Sequence, residues 1–300
     1  MTIPRLTAAA LFAALLWWAP ALAADKVLHA YITTPETGLD PAVASDIASL
    51  SLLENLFDPL LGYDYAARPL KLRGNTAAGL PVVGDQGLSY TFHIRPGIYF
   101  TPDPAFKGKP RELTAADYIY SLKRLYDPAL KSPWLSLFDG KIAGDAALKS
   151  AFSYDTAVPG LQAPDRYTLR IGLTAPDSNF LFYLAMPGRW RGGARSDGSL
   201  SGPDRQPSGR HRSLRGRRME AQQPHHPAGQ SPVARDRRRM GQRLPLLDRV
   251  EVKVAEEFQG RVLGFLRGEF DYLEQVPESM TGMVIGNGKL KPELAARGIS

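Results

Sequence analysis

Apolar and polar positions alternate along several short segments, and this period of two predicts β-strands. The first such segment is Val27–Ile32, followed by residues 89–94 and 166–173. The same alternation returns late in the chain over residues 250–254, and residues 270–273 are predicted as the strand after that. Turn residues bound each segment, as expected for strands that enter and leave a sheet.

Apolar residues at helical spacing follow two of these strands. The first predicted helix begins at Asp40, with the acid as N-cap and Pro41 at the first helical position, and its apolar stripe runs to Phe57. Thr114 and Asp117 predict the start of a second helix, because they have the spacing of a capping box.

A third helix is predicted over residues 256–267 and ends at Gly268, a residue that readily adopts the left-handed conformation of a helix end. Residues 180–184 form an apolar run that fits either a helix or a strand. Because strands and helices alternate along the whole chain, the predicted class is α/β or mixed α+β.

Residues 1–23 have the pattern of a secretory signal peptide. Arg5 is the only charge before an apolar run from Leu6 to Leu22, and residues 21–23 form a small-x-small cleavage site. The alternative is a membrane anchor, but a span needs about 20 apolar residues and Pro20 interrupts this run. We therefore leave residues 1–23 out of the predicted fold and expect an exported protein.

Charge is distributed unevenly along the 300 residues. The net charge of +7 would favour a nucleic-acid or membrane partner if it were spread over the surface. Residues 187–243 hold 14 arginines, no lysine and four acids, which makes this block +10 and leaves the rest of the chain at −3. Only 10 of its 57 residues are apolar. Three interpretations are open: a nucleic-acid-binding arm, a disordered linker, or a segment that does not belong to the natural protein.

The sequence contains no motif that supports catalysis or a cofactor. It has no cysteine, which excludes disulfides, thiolate metal sites and a lipid-modified cysteine. A phosphate-binding glycine loop, an HExxH helix and a G-x-S-x-G serine turn are also missing from the sequence. We therefore expect no enzyme activity, no metal and no cofactor.

Several segments resemble the family 5 extracellular solute-binding proteins of ABC importers, which bind peptides, haem or nickel complexes. The resemblance rests on LENLFDPL at residues 53–60, SYTFHIRPGIYF at 89–100, LTAADYIYSLKR at 113–124 and GFLRGEFDYL at 264–273. Their order and spacing together are specific, although most of these residues are expected in the core or in caps rather than at a ligand.

The resemblance implies a class II periplasmic-binding-protein-like fold, with two α/β lobes and an extra subdomain in the first lobe. Residues 24–45 and 165–250 would form the core of lobe one, and residues 46–164 the extra subdomain. Residues 251–300 would begin lobe two. Family members are longer, so we expect a truncated chain with an incomplete second lobe.

The function implied by the resemblance is capture of a peptide or similar small molecule and its delivery to an ABC permease in the inner membrane. The protein would be a periplasmic monomer without a nucleic-acid partner, and truncation would impair it. The rival interpretations are a non-functional fragment and an arginine-rich secreted protein that binds nucleic acid. Ligands of open α/β sheets lie beyond the carboxyl ends of the strands, so the loop after the first strand is the predicted ligand contact. An ordinary surface loop is an equally good interpretation of its four candidate residues, Thr33, Thr34, Glu36 and Thr37.

The arginine-rich block departs from the family, and we interpret residues 187–245 as DNA translated in the wrong frame and therefore disordered. Met219 has a single codon, and MEAQQPHH from this residue onward can be encoded so that the next frame gives WKRNNRII. The same shift over residues 207–219 permits the family's HPVGTGPY motif. Two compensating single-base changes in the DNA would be enough to shift the reading frame over this block and to restore it afterwards.

Overall fold

The computed structural model describes residues 26–64, 66–100, 106–186, 247 and 249–298, together with the backbone of two short strands in the arginine-rich block. The predicted signal peptide and the rest of that block lie outside the described residues. Within the described part of the chain, no helix has the length and apolar character needed to cross a membrane.

The strands of the described part of the chain form five small sheets. A parallel pair joins β1 (Val27–Ile32) to β10 (Arg249–Val254). A four-stranded antiparallel sheet has the order β4-β5-β7-β6. Its strands are β4 (Val82–Gly84), β5 (Ser89–His93), β6 (Leu161–Gln162) and β7 (Thr168–Gly172). Three antiparallel pairs complete the set: β2 (Leu61–Asp64) with β3 (Lys71–Gly74), β8 (Arg238–Arg239) with β9 (Gln242–Arg243), and β11 (Ile285–Gly286) with β12 (Lys289–Leu290).

The α-helices are short, and three of them have ten residues each. These are α1 (Ile47–Leu56), α2 (Ala115–Arg124) and α5 (Phe258–Arg267). The other α-helices of the described residues are α3 (Ala146–Ser150), α4 (Phe180–Ala185), α6 (Thr281–Val284) and α7 (Pro292–Ala295). Single 3₁₀ turns occur at Asp85–Gly87, Leu135–Leu137 and Glu278–Met280.

The main hydrophobic core lies between the four-stranded sheet and helices α2 and α4. Phe92, Phe138, Leu169 and Phe180 are fully buried in it. A second, smaller cluster lies where α1 packs on the parallel pair, through Ala48 and Leu52 against Ile32, Val252 and Val254. The chain therefore has one large core and one small one that holds β1, β10 and α1 together.

Most of the predicted elements lie where the sequence pattern placed them. The predicted strand Val27–Ile32 is confirmed in full, and those at residues 89–94, 166–173 and 250–254 are confirmed with small changes at their ends. Thr114 and Asp117 form the predicted capping box of α2. Helix α5 ends at Gly268 with a φ of 80°, and the run at residues 180–184 is helical.

Two predictions are wrong. Residues 40–44 form a single turn, in which the backbone N–H of Ala44 donates to the carbonyl of Asp40, and the helix begins only at Ile47 with Asp46 as its N-cap. Residues 270–273 form no strand. The Asp271 carboxylate accepts the N–H of His29 at 2.6 Å, so that donor is not available to a backbone carbonyl of the segment.

The division of the chain into lobe-one core and extra subdomain stays a prediction, and the packing favours a different grouping. Helix α1 falls on the subdomain side of the predicted boundary but packs on β1 and β10. Strand β7 falls on the core side but pairs with β5 and β6 in the four-stranded sheet.

Candidate ligand-binding site

The parallel pairing of β1 and β10 creates the edge at which the candidate site lies. Val27 is opposite Arg249 and Ile32 is opposite Val254, so both strands end at the same level. The N–H of Ala255 donates to the carbonyl of Ile32 and closes the ladder. The loop after β1 therefore leaves the sheet at a carboxyl edge, the usual position of ligands in open α/β sheets.

Three of the four predicted contact residues have unused main-chain groups. Thr33 and Thr34 are exposed, and within the described residues the backbones of Thr33, Thr34 and Glu36 make no hydrogen bond. Pro35 has no N–H of its own. Exposed, unpaired donors and acceptors next to a strand end can continue the hydrogen-bond pattern of the sheet to a bound chain.

Thr37, the fourth predicted residue, is used inside the fold. Its N–H donates to the hydroxyl of Ser49 at 3.0 Å, and its own hydroxyl donates to the carboxylate of Asp46 at 2.5 Å. Asp46 also accepts the N–H of Ser49 and so caps helix α1. Burial alone would raise the pKa of Asp46, but the hydrogen bonds from Ser49 and Thr37 outweigh burial and lower it to about 2.

Glu36 lies between the exposed loop residues Thr33 and Thr34 and the cap of helix α1 that contains Thr37. It is half-buried, and its Oε2 atom is shielded from water and has no hydrogen-bond partner among the described residues. Neither Glu36 nor Thr37 lines the cavities described below, whereas Thr33 and Thr34 do. The assignment of all four residues to ligand binding stays a prediction.

An apolar groove of about 750 Å³ runs from this loop along the sheet. One face of the parallel pair forms its floor, and helix α1 forms its wall. Thr33, Thr34 and Glu274 contribute to its lining beside the strand ends. The apolar residues that line the groove are Leu28, Ala30, Ile32, Ile47, Ala48, Leu52, Leu56, Leu247, Val250 and Val252.

A smaller cavity of about 380 Å³ lies beside the groove and shares Tyr31, Thr33 and Glu274 with it. Arg261 lines this cavity and is only 5% exposed. Its guanidinium lies 4.1 Å from the centroid of the Phe258 ring and 5.7 Å from that of Tyr31, within the range of cation–π contacts.

Arg261 also fixes the start of α5 relative to β10. Its Nη1 atom donates to the carbonyls of Ala255 at 3.0 Å and Glu256 at 3.2 Å. These two residues follow β10 directly, so the arginine holds the connection from the sheet to the helix. Its charge is therefore used in positioning the chain as well as in lining the cavity.

Three aromatic rings stabilise the strand end from the opposite face. Tyr31 stacks on Tyr272 with ring centroids 5.4 Å apart and packs edge-on against Phe270 at 5.2 Å. The hydroxyl of Tyr31 accepts the N–H of Glu274 at 3.0 Å. Burial, followed by the nearby Glu274 carboxylate, raises the pKa of Tyr272 above its usual value.

Sequence reasoning missed Tyr31, Arg261, Tyr272 and Glu274 as residues of the site. Alternation along β1 places Tyr31 on the face opposite to Ile32, and the FDYL run marks Tyr272 as a half-buried aromatic. The position of Arg261 carried no such signal, because its cavity exists only once α5 folds back on β1. Within the described residues, no cluster of histidines and carboxylates could hold a metal ion.

Among the described residues, the parallel pair, the flanking helices and the antiparallel sheet make a mixed α/β fold. The substrate-binding domain of an oligopeptide ABC transporter from Bacillus anthracis strain Ames superposes with a TM-score of 0.64 at 17% identity. The match covers 89% of this chain and 48% of that chain. At this identity the likeness concerns the fold, and it confirms the predicted class II periplasmic-binding-protein-like architecture.

Residues 71–207 match the family described as "Bacterial extracellular solute-binding proteins, family 5 Middle". Di/tripeptide-binding protein 4 of Pseudomonas aeruginosa is 32% identical over 126 residues, which is 40% of this chain and 22% of that protein. Peptide transport periplasmic protein SapA of Salmonella typhimurium is 28% identical over 236 residues, 74% of this chain and 38% of that protein. The matched part of the chain is thus similar to the family 5 extracellular solute-binding proteins, in agreement with the resemblance of its motifs. The chain spans less than half the length of these relatives.

Proposed function

We propose that this protein captures a peptide or a similar solute in the periplasm and delivers it to an ABC permease of the inner membrane. The unpaired main chain of Thr33, Thr34 and Glu36 at the carboxyl edge of β1 carries the proposal. The names of the relatives support it, because one is a di/tripeptide-binding protein and another a periplasmic peptide-transport protein.

Capture uses hydrogen bonds and burial and involves no bond-breaking step. An extended ligand aligns with residues 33–36, and its amide groups pair with the free N–H and C=O groups of the loop. The apolar groove and the cavity around Arg261 lie on either side of this line. The protein acts as a monomer, has no nucleic-acid partner and catalyses no reaction.

The described residues form one side of a ligand site that, in a complete solute-binding protein, two lobes enclose. Enclosure between two lobes is what gives a solute-binding protein high affinity, because closure buries the ligand from both sides. We therefore propose that this 300-residue chain alone binds peptides only weakly, with a Kd of about 1 mM, equivalent to roughly −4 kcal/mol. Tight binding in a calorimetric titration would contradict this part of the proposal.

The test compares trialanine with trialanine methylated on its central and C-terminal amide nitrogens, in an NMR titration of the full chain. Methylation removes the two amide N–H donors, and it also makes both amides tertiary, which adds bulk and weakens their preference for the trans form. We expect the affinity to fall at least fivefold, since one hydrogen bond contributes about 1 kcal/mol. Equal affinity of the two peptides, or no binding of either at 10 mM, would overturn the proposed mode of capture.

A further inference from the structure

We propose that the apolar groove between α1 and the parallel pair is a side-chain pocket, so that the captured peptide carries one large apolar side chain. This inference rests on the proposed function, because it assigns the ligand's main chain to residues 33–36. It extends that function by naming the class of peptide that is preferred.

The floor of the groove is a sheet face that α1 covers only in part. Parallel strands are normally covered on both faces. The face that carries Tyr31 packs against Phe270, Tyr272 and Arg261. On the other face, α1 reaches Ile32 and Val252, while Leu28 and Val250 line an open groove.

Two polar side chains of α1 line the groove, and each donates one hydrogen bond within the helix. The hydroxyl of Ser51 donates to the carbonyl of Ile47, and the amide of Asn55 donates to the carbonyl of Ser51. Asn55 keeps a second N–H and its oxygen, and Ser51 keeps its oxygen lone pairs. Most of the remaining lining is aliphatic, so the walls favour an apolar group, and the volume of about 750 Å³ is ample for any single side chain.

Continuity with the loop identifies the occupant as part of the same ligand. Thr33 and Thr34 supply the free main chain and also line the groove. Side chains of an extended peptide alternate between two directions, so one side chain of a ligand aligned with this loop points into the groove.

The charge around the groove restricts the ligand further. Glu274 is exposed, lines both cavities and makes no ion pair within the part of the chain that the structure describes. An unpaired carboxylate repels anionic ligands and attracts cationic ones. We therefore expect neutral or positively charged peptides to be preferred over acidic ones.

The experiment measures the affinities of Ala-X-Ala peptides for the full chain by NMR titration, with Gly, Leu, Trp or Glu at X. We expect the Leu and Trp peptides to bind at least tenfold more tightly than the Gly peptide, since apolar burial scales with side-chain area. The Glu peptide should bind more weakly than any of them. Affinities that do not depend on X would overturn the pocket while leaving peptide capture intact. Failure of every peptide to bind would instead overturn the proposed function.

Two variants test whether the groove is the pocket. Ala30→Leu fills its floor, and Asn55→Trp fills it from the exposed surface of α1, where folding is not at risk. Both should reduce the preference for Leu over Gly to less than threefold. Val82→Phe on the distant strand β4 is the control and should change nothing, because Val82 is 65% exposed there. If Ala30→Leu raises the melting temperature while the preference for Leu persists, the groove is an uncovered core face and the inference is wrong.

Discussion

Arg124 holds Asp40 in a two-pronged ion pair, with Nη1 at 2.9 Å from Oδ1 and Nη2 at 2.6 Å from Oδ2. The two residues lie 84 positions apart in the sequence. Asp40 stands in the turn after β1, and Arg124 is the last residue of α2. The pair thus connects the segment that carries the candidate site to the large hydrophobic core.

Asp40→Asn should lower the free energy of unfolding by about 2 kcal/mol, because it leaves a buried guanidinium without its counter-charge. The Arg124 side chain is only 12% exposed, and its Nε atom already lacks a partner among the described residues. Urea unfolding followed by circular dichroism measures the change.

The matched control is Asp139→Asn, which removes an ion pair with Lys149 in which both side chains are 44% exposed. Its effect should stay below about 0.5 kcal/mol. The double variant Asp40→Asn with Arg124→Met should lose less than the sum of the single variants. Additive losses would show that the pair does not act as a unit.

Asp46 should make the stability of the protein depend on pH in acid. Its pKa of about 2 in the fold lies below the ordinary 3.8, so its ionised form stabilises the folded state above about pH 4. This contribution should disappear as the pH falls from about 4 to about 2, because the group becomes protonated in both states.

The comparison is with Asp46→Asn, which does not titrate. The wild type should be more stable by about 2 kcal/mol at neutral pH, since each unit of pKa shift corresponds to about 1.4 kcal/mol, and the difference should largely disappear near pH 2. A difference that stays constant across this range would show that the Asp46 carboxylate is not the responsible group.

Gly264→Ala should destabilise the strand-end aromatics. A Cβ at residue 264 would lie 2.7 Å from Cε2 and 2.9 Å from Cδ2 of Phe270, whose ring packs on Tyr31. We expect a loss of about 1–3 kcal/mol, the usual cost of overpacking a core.

The same helix provides the control. A Cβ at Gly260 meets only Glu257 at 3.8 Å, so Gly260→Ala should stabilise α5 by about 0.5–1 kcal/mol through its helix propensity. Phe270→Leu should relieve part of the loss in Gly264→Ala. If both glycine variants gain stability, the close approach of α5 to Phe270 is not real.

The frameshift hypothesis for residues 187–245 predicts the peptides that trypsin releases from the natural protein. In the sequence given, residues 219–235 form one tryptic peptide, MEAQQPHHPAGQSPVAR. We expect mass spectrometry of the protein from its native source not to find this peptide and to find peptides of the next frame instead. Detection of the printed peptide would refute the hypothesis and restore the arginine-rich arm as a genuine segment.

The alternation of apolar residues placed four of the five predicted strands, because inward and outward positions differ clearly along each of them. Short strands such as β2 and β4 were not predicted, because three or four residues are too few to show the alternation. The start of α1 was misplaced because Asp40 and Asp46 are both acceptable N-caps in the sequence. In the fold, Asp46 accepts the N–H of Ser49 and caps the helix, whereas Asp40 binds Arg124 of a distant helix. Similarly, the sequence does not show that the Asp271 carboxylate accepts the N–H of His29. A backbone carbonyl of residues 270–273 would have to accept this N–H if they formed a strand beside β1.

The candidate site was predictable only in part. The loop was chosen by the rule that ligands lie beyond strand ends. Thr33 and Thr34 line the groove, and their backbones make no hydrogen bond within the described residues, but their contact with a ligand stays a prediction. The groove itself depends on how much of a sheet face α1 covers, which no local pattern records. Thr37 shows the limit of the rule, because a polar loop residue serves as well in a helix cap as at a ligand.

The most direct test of peptide capture is an amide chemical-shift map of the full chain titrated with Ala-Leu-Ala. The account predicts that the largest shifts fall on the amides of Thr33, Thr34 and Glu36, with smaller ones on the α1 residues that line the groove. Shifts that fall instead on the four-stranded sheet or the arginine-rich block, with residues 33–36 unchanged, would contradict it.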